Sequence, residues 1–542
     1  MTELMQISSL EKVMPKNKVQ FDEIHEMNIL KNEECAYQIA FKDKKDKQIH
    51  IEIESDIKSN ISVYYIANVP VNLPTYPDGV DDDNYISTEP GIFPDILCPV
   101  KDNIVIATGW FQAVWINIDK TAPSGKHNIK VTFKTDEEEK NTDMTIEILP
   151  IELEDSGLIF TQWFHADCIA QYYNVETWSE KHWELIDKFV KAAVRNGINM
   201  ILTPIFTPPL DVEVGGERPT VQLVKITKDK EKYSFDFSLL ERWIKMCKNN
   251  GIKYFEMAPL YTQWGAKFTP KIMVSENGEE KRMFGWDVCA TDERYKDFLS
   301  QFLLSLTAFL KEKGVSEVTY FHISDEPNKE CLDDYLKAKN EAEKYLKGFK
   351  IIDALSHYDF YEKGIVKNPV VALNNAMEFY GNVDNLWVYY CCAQYKYLSN
   401  RFIAMPSYRN RSIGMQLFKF NVKGFLQWGY NFYYSRLSKY KINPFLQTDA
   451  GGGFPSGDAF SVYPGEDGPL DSLRIRVFLH ALEDFCAMKM LEKHIGYEKT
   501  LKIIEDIFGE ISFEKCAHNS DVLIKVRNAV NNELKKVYKI EG

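Results

Sequence analysis

The sequence predicts a multidomain chain: an N-terminal β-sandwich, then a (β/α)8 TIM-type barrel, then C-terminal helices packed on the barrel. Two rhythms, and the seam between them, predict it. As far as Pro150, short alternating segments recur between turn clusters, and after Gly157 short apolar strands alternate with helical segments. Closely spaced short strands suit a sandwich. Strand–helix alternation suits a parallel sheet, and repeated about eight times it favours a closed barrel over a doubly wound sheet. The expected units are 1–152, 153–492 and 493–542.

The first unit reads as strands at Tyr37–Phe41, Ile49–Ile53, Ile61–Tyr65, Ile104–Ala107, Val114–Ile118, Ile129–Phe133 and Met144–Ile148. Tyr76 to Pro99, rich in Pro, Gly and Asp, reads as a long loop, and the linker is expected near Pro150 to Asp155. Barrel strands are expected at Leu158–Phe164, Asn199–Thr203, Tyr254–Leu260, Val318–Ile323, Ile351–Leu355, Val370–Leu373, Leu386–Tyr390 and Gly424–Trp428. Helices at Thr177–Arg195, Ser238–Lys248 and Asp292–Lys313 each end at a glycine stop. The fifth and sixth units look degenerate, because Ser356–Lys367 is too short for a full helix. Pro406–Phe420, Leu473–Met490, Glu498–Phe508 and Asp521–Tyr538 read as the remaining helices.

Composition narrows the partners. The net charge of −14 excludes the basic footprint that nucleic acid or an anionic membrane surface requires. A neutral sugar is indifferent to it. No apolar run approaches the roughly 18 residues of a membrane span. The stretch from Met1 through Lys16-Asn17-Lys18 has no signal-type apolar core. The ten cysteines are scattered without CxxC spacing, as in a reduced, cytoplasmic protein. No HExxH, Cys/His quartet or nucleophile elbow is present, so a cofactor or metal is not expected.

In a barrel of this type chemistry sits at the C-terminal ends of the strands. Those ends carry Trp163, His165 and Asp167, then Tyr261, Gln263 and Trp264 with Trp286 further along the same loop. Asp325 and Glu326 follow, then Asn374 and Asn375, Tyr389, Tyr390 and Tyr395, and lastly Trp428, Tyr430 and Asn431. Flat rings stack on the C–H faces of a pyranose, while acids and amides bind its hydroxyls. The expected sugar contacts are Trp428, Tyr395, Trp286, Tyr261, Trp264, His165, Tyr389 and Asn431. A lone ring or histidine at a strand end also serves as packing, and both readings stand at this point.

The Asp325-Glu326 pair closes an apolar strand, either as a capping and solubility feature or as a catalytic pair. Placed where the fold does its chemistry, the pair is read as catalytic. Adjacency limits the mechanism. Two carboxyls facing each other across one glycosidic bond stand ~5–5.5 Å apart in a retaining enzyme and ~6.5–9.5 Å apart in an inverting one. Neighbouring residues on a strand point to different sides, so that arrangement is awkward. They can instead touch two atoms of one sugar. Glu326 would protonate the leaving oxygen. Asp325 would hold the N–H of a 2-acetamido group whose carbonyl oxygen attacks the anomeric carbon, and would stabilise the cationic intermediate.

Three motifs, Ser324-Asp325-Glu326-Pro327, Gly424-Phe-Leu-Gln-Trp-Gly-Tyr-Asn431 and Gly457-Asp-Ala-Phe-Ser-Val-Tyr-Pro-Gly465, occur in this order. With the layout of nearly the whole chain, they resemble glycoside hydrolase family 123. The resemblance implies a retaining β-N-acetylgalactosaminidase using acetamido assistance. It implies Asp325 as the stabilising acid, Glu326 as the acid/base, and Trp428 as an aromatic wall around the N-acetyl sugar. The expected reaction is release of a terminal β-linked N-acetylgalactosamine from glycans or glycolipid oligosaccharides. A β-N-acetylglucosaminidase on the same site and a non-catalytic carbohydrate-binding barrel are the alternatives.

Other features are weaker. Ala450-Gly-Gly-Gly-Phe454 lacks the Lys-Ser/Thr of a phosphate loop and reads as a flexible loop at the site's mouth. Asp458 reads as a sugar contact or a loop cap. Arg409 and Arg411 read as helix-face charges or site residues. Trp110 and Trp115 offer the sandwich a sugar surface, although the sandwich reads better as a structural partner of the barrel.

Overall fold

The structure, a computed structural model, describes residues 3–16, 20–327 and 329–540. The expected outer limits at 1 and 542, and part of the Lys16-Asn17-Lys18 run, lie outside the described residues. The N-terminal part forms two five-stranded sheets. One runs Glu3–Ser8, Cys35–Lys42, Gln112–Ile118, Ile61–Val71, Gly91–Pro99 in spatial order. The other runs Glu26–Lys31, Glu139–Glu152, Gly125–Lys134, Lys47–Glu54, Ile104–Ala107.

Alternation explains the outer sheet: Ile49 and Ile51 point inward, while Gln48, His50 and Glu52 face water. The inner sheet is different, because Gln112–Ile118 is buried along its whole length and Cys35–Lys42 nearly so. Tyr37, Ile39, Val114 and Ile116 meet Val131, Phe133 and Ile146 inside the sandwich. Ala36, Ala40 and Trp115 turn the other way, into the core shared with the barrel and its last helices. Trp115 is fully buried and stacks on His480 at 6.0 Å, so it offers no sugar surface. Trp110 is exposed, with the Lys16 ammonium over its ring.

The second half of the expected Tyr76–Pro99 loop is a strand. Gly91–Pro99 pairs antiparallel with Ile61–Val71, shifting register after Ala67. Its Gly and Pro disguise it, and it lies at the sheet's edge, where proline is tolerated.

The central sheet has nine parallel strands. In spatial order they are Lys350–Ile351, Thr319–Phe321, Tyr254–Met257, Met200–Thr203, Ile159–Gln162, Gly424–Gln427, Trp387–Tyr389, Pro369–Ala372 and Asp353–Leu355. The two end strands are separated in sequence only by Ile352, so the sheet is a nearly closed barrel. The single strand expected at Ile351–Leu355 is thus split, and the two halves pair with opposite neighbours. The next two units carry the short helices Tyr358–Glu362 and Ala376–Phe379. The helix expected over Pro406–Phe420 is broken at Ser412 into Ser407–Arg411 and Ile413–Lys419.

Helix Leu473–Ile495, capped by Ser472, packs across that broken pair. The approach at Gly414 is so close that a Cβ there would meet the Ala481 carbonyl oxygen at 2.3 Å. Tyr497–Phe508 and Ser520–Val537 complete the C-terminal helices. No helix among the described residues is long and apolar enough to cross a membrane.

Buried ion pairs tie the N-terminal sheets to the rest. Arg474 binds Asp95 through Nε and Nη2, each at 2.9 Å, and Arg527 bridges Glu33 and Asp484. Arg409 is fully buried against Asp82 at 2.8 Å, and Arg411 binds both oxygens of Asp484. Arg409 therefore serves the junction with the N-terminal part, and Arg411 ties its short helix to helix Leu473–Ile495.

Candidate active site

The fourth barrel strand ends at Phe321, and the chain then descends into the barrel mouth as His322-Ile-Ser-Asp-Glu-Pro327. Bonds from both sides fix this segment. Leu260 and Tyr261 donate backbone N–H groups to the carbonyls of His322 and Ile323, and Trp264 donates to that of Asp325 at 2.8 Å. Ser324 Oγ donates to the Thr262 carbonyl and accepts from the Ala266 N–H. Asp353 Oδ1 accepts the N–H groups of Ile323 and Ser324.

Three non-glycine residues here have left-handed backbone: Glu326 at φ 44°, Trp264 at 59° and Ala266 at 57°. Each costs on the order of 1–2 kcal/mol. Such strain persists only where surrounding bonds hold it, and it concentrates at working sites. The turn at Glu326 also sets its side chain apart from the simple strand alternation. Glu326 Oε1 accepts the Tyr389 hydroxyl at 2.5 Å.

Asp325 and Glu326 are both half-buried. Burial and then the Glu326 charge push Asp325 well above the ordinary carboxylate range, with Asp353 and Asp211 adding to the rise and His322 opposing it. Both causes favour the protonated form of Asp325, because burial and a neighbouring like charge each penalise a carboxylate.

Trp428, after the last barrel strand, is half-buried between Phe432 and Phe454, ring centroids 5.1 and 5.2 Å away. Its indole N–H donates to Asp458 Oδ2 at 2.9 Å. Asp458 is fully buried and also accepts from Gln427 Nε2. Burial raises its carboxyl to about 6 against the opposing pull of Arg401 and the Trp428 N–H. Asp458 is therefore neither an exposed sugar contact nor a loop cap; it orients the tryptophan. Arg474 holds the carbonyls of Gly457 and Phe460 on either side of it.

The other expected contacts divide into two groups. Tyr389 meets the acid pair, Trp264 is 41% exposed at its lip, and Trp286 is half-buried, edge-on to Phe268. Tyr395 is half-buried at the mouth, with its hydroxyl on Asp78 and its ring edge-on to Tyr76, both from the N-terminal part. The second group lies behind the surface. His165 is 1% exposed, with Nδ1 at Arg218 and Nε2 at the Trp428 carbonyl. Burial and the neighbouring Arg218 lower its imidazole to about 3, so it is neutral. Asn431 is fully buried and clamps the His165 backbone by two hydrogen bonds. Tyr261 is fully buried, edge-on to Tyr295. Burial sets these three apart from the partly exposed rings.

Residues outside the expected set also converge here. Glu256, His322 and Asp353 form a buried charged chain under the acid pair. Asp211 is half-buried, raised by burial to about 6, and its charge reaches Asp325. The signal for Glu256 and Asp353 was present, since each is an acid inside an otherwise apolar strand, where unpaired charge is rare. Asp211 lies in a long irregular loop that offers no such signal.

The arrangement brings together an adjacent pair of acids, half-buried aromatic rings and buried polar braces. Comparison with known proteins fits it. The family model described as the glycoside hydrolase 123 catalytic domain matches residues 163–491. A family 123 glycoside hydrolase from Clostridium perfringens, whose structure is described as detailing glycolipid glycan hydrolysis, superposes with a TM-score of 0.74. It is 16% identical, and the match covers 99% of this chain and 100% of that one. A β-glucuronidase from Parabacteroides merdae matches at a TM-score of 0.30 and 10% identity over 84% of this chain and 51% of its own, too slight a likeness to bear on the fold. No curated protein matches the chain. The extent of the family match, spanning the acid pair, Trp428 and the Gly457–Gly465 motif, shows that the chain belongs to glycoside hydrolase family 123.

Proposed function

We propose that this glycoside hydrolase is a retaining, exo-acting β-N-acetylgalactosaminidase. It removes a terminal β-linked N-acetyl-D-galactosamine from glycan or glycolipid oligosaccharides by acetamido-assisted catalysis. The observation that carries this reading is the adjacency of Asp325 and Glu326 at one strand end, with Glu326 Oε1 held by the Tyr389 hydroxyl and the Asp325 carbonyl held by the Trp264 N–H. Two adjacent acids can serve one sugar, one moving the proton and the other holding the amide. The Clostridium relative, described for glycolipid glycans, supports the substrate class.

In the first step Glu326 gives its proton to the glycosidic oxygen while the acetamido carbonyl oxygen attacks the anomeric carbon. The C–O bond to the aglycone breaks. Ionised Asp325 accepts the amide N–H and offsets the positive charge of the oxazolinium ring. In the second step Glu326, now a carboxylate, takes a proton from water as the water oxygen attacks the anomeric carbon and opens the ring. Two inversions restore the β configuration.

Trp428 forms the wall behind the N-acetyl sugar, with Tyr389, Trp264, Trp286 and Tyr395 completing the pocket and its rim. His165, Asn431 and Tyr261 hold these walls in place. The barrel is read as a degenerate (β/α)8 barrel within the division 1–152, 153–492 and 493–542. Buried thiols such as Cys168, Cys247 and Cys516 suit a reducing, cytoplasmic setting.

Chromogenic β-GalNAc and β-GlcNAc substrates, with the product anomer followed by proton NMR, test the assignment. Faster turnover of the galacto substrate with β product first formed is expected. Preference for the gluco substrate would make the enzyme a β-N-acetylglucosaminidase, and α product first formed would exclude retention.

A further inference from the structure

Three ionisable side chains lie in a row inside the barrel beneath the acid pair, and the reaction as described does not use them. His322 Nε2 meets Glu256 Oε1 at 2.5 Å, and Nδ1 lies 3.4 Å from Asp353 Oδ1. Glu256 also accepts the Trp163 indole N–H and the Thr161 hydroxyl, each at 2.9 Å. Asp353 accepts the Tyr335 hydroxyl at 2.6 Å and the backbone N–H groups of Ile323 and Ser324. All three are at most 2% exposed, so none can touch a sugar.

Barrel interiors are ordinarily filled by branched apolar side chains. Burying an ion costs several kcal/mol, and an apolar filler of similar volume is often as stable or more so. Stability alone is therefore a poor reason for this row. Its position offers a better one. Asp353 grips the two residues that precede Asp325, and the His322 charge bears on Asp325.

We infer that Glu256, His322 and Asp353 are positioning residues for the catalytic pair: they fix the Ile323–Ser324 backbone and set a buried cation beneath Asp325. The inference rests on reading Asp325 and Glu326 as the reacting acids. Burial pulls the His322 imidazole down, but hydrogen bonds to Asp353 and Glu256, and their charges, outweigh it and raise it to about 10. Of the charged groups that bear on Asp325, Glu326, Asp353 and Asp211 oppose its ionisation and His322 favours it. Without the cation, Asp325 would face only acids at the moment it must accept an amide N–H as a carboxylate.

Two variants separate charge from packing, read by the pH dependence of kcat and KM on an aryl β-N-acetylgalactosaminide. His322→Gln removes the cation and is expected to lower kcat ~10²-fold, the cost of a displaced reacting group, with KM changed less than about threefold. Its acidic limb should move to higher pH by about one unit, the scale of losing an opposite charge nearby. Asp353→Asn keeps an acceptor for the two backbone N–H groups but removes a negative charge, so its acidic limb should move to lower pH. Wild-type kcat and an unmoved limb in both variants would overturn the inference, as would shifts in the same direction.

Ring-15N NMR of the wild-type enzyme guards against variants that fail to fold. One buried imidazole should remain protonated above pH 8, and its absence would also overturn the inference. If the wild type cleaves no aryl hexosaminide, the proposed function fails, and the NMR titration alone decides the charge of the row.

Discussion

The Tyr389 hydroxyl lies 2.5 Å from Glu326 Oε1, joining the end of one barrel strand to the carboxyl that follows another. Once the Glu326 proton has reached the aglycone, the bond becomes a charge-assisted one. A hydrogen bond to a charged group contributes about 1.5–3 kcal/mol. Tyr389→Phe should therefore lower kcat roughly 10- to 150-fold. Steady-state kinetics checks this.

Glu326→Gln removes proton donation but leaves the acetamide in place. Activity on substrates with poor leaving groups should fall by ~10²–10⁴-fold, the usual range for general acid catalysis. Activated aryl glycosides, whose leaving oxygen needs little help, should lose much less. An equal loss on both substrate classes would remove Glu326 from the acid role.

The raised Asp325 carboxyl has a consequence for stability. An acid whose folded value lies above its ordinary 3.8 contributes stability that is fully present below 3.8 and is lost as pH rises through the folded value. Asp325→Asn, which never ionises, should escape that loss. It should be nearly inactive yet more stable than wild type at pH 7, by about 1 kcal/mol, as is common when a strained site is relieved. Thermal melts at pH 4 and 7 should show the gain growing with pH.

The Asp95–Arg474 pair couples the edge strand of the sandwich to the loop that carries Asp458. Asp95→Ala leaves a buried guanidinium without its carboxylate, which should cost about 3–5 kcal/mol. Urea denaturation measures this directly. A cost below about 1 kcal/mol would mean that the seam is not held by this pair.

Much of this architecture was legible in the chain. Apolar strands and amphipathic helices repeat with clear glycine stops, and the helix expected over Asp292–Lys313 is found at Glu293–Glu312 with Asp292 as its cap. Gly91–Pro99 escaped notice because its glycine and prolines mimic a loop, and only an edge position makes them tolerable. The split at Ile352 leaves no sequence mark, since it reflects barrel closure and not local preference. At the site, Asp325 and Glu326 stood out because acids end an apolar strand. The burial of His165 and Asn431 was not legible, because the sequence gives a side chain's place on a strand but not how deeply it is covered. His322 sits within the most informative stretch, yet its role depends on Glu256 and Asp353, which only the closed barrel brings to it.

The central claim is that the substrate's own acetamide is the nucleophile, held by Asp325. Turnover of matched aryl β-N-acetylgalactosaminide and aryl β-galactoside substrates tests it most directly. The account predicts that replacing the acetamido group by a hydroxyl lowers kcat/KM by several orders of magnitude. Similar rates on the two substrates would contradict it.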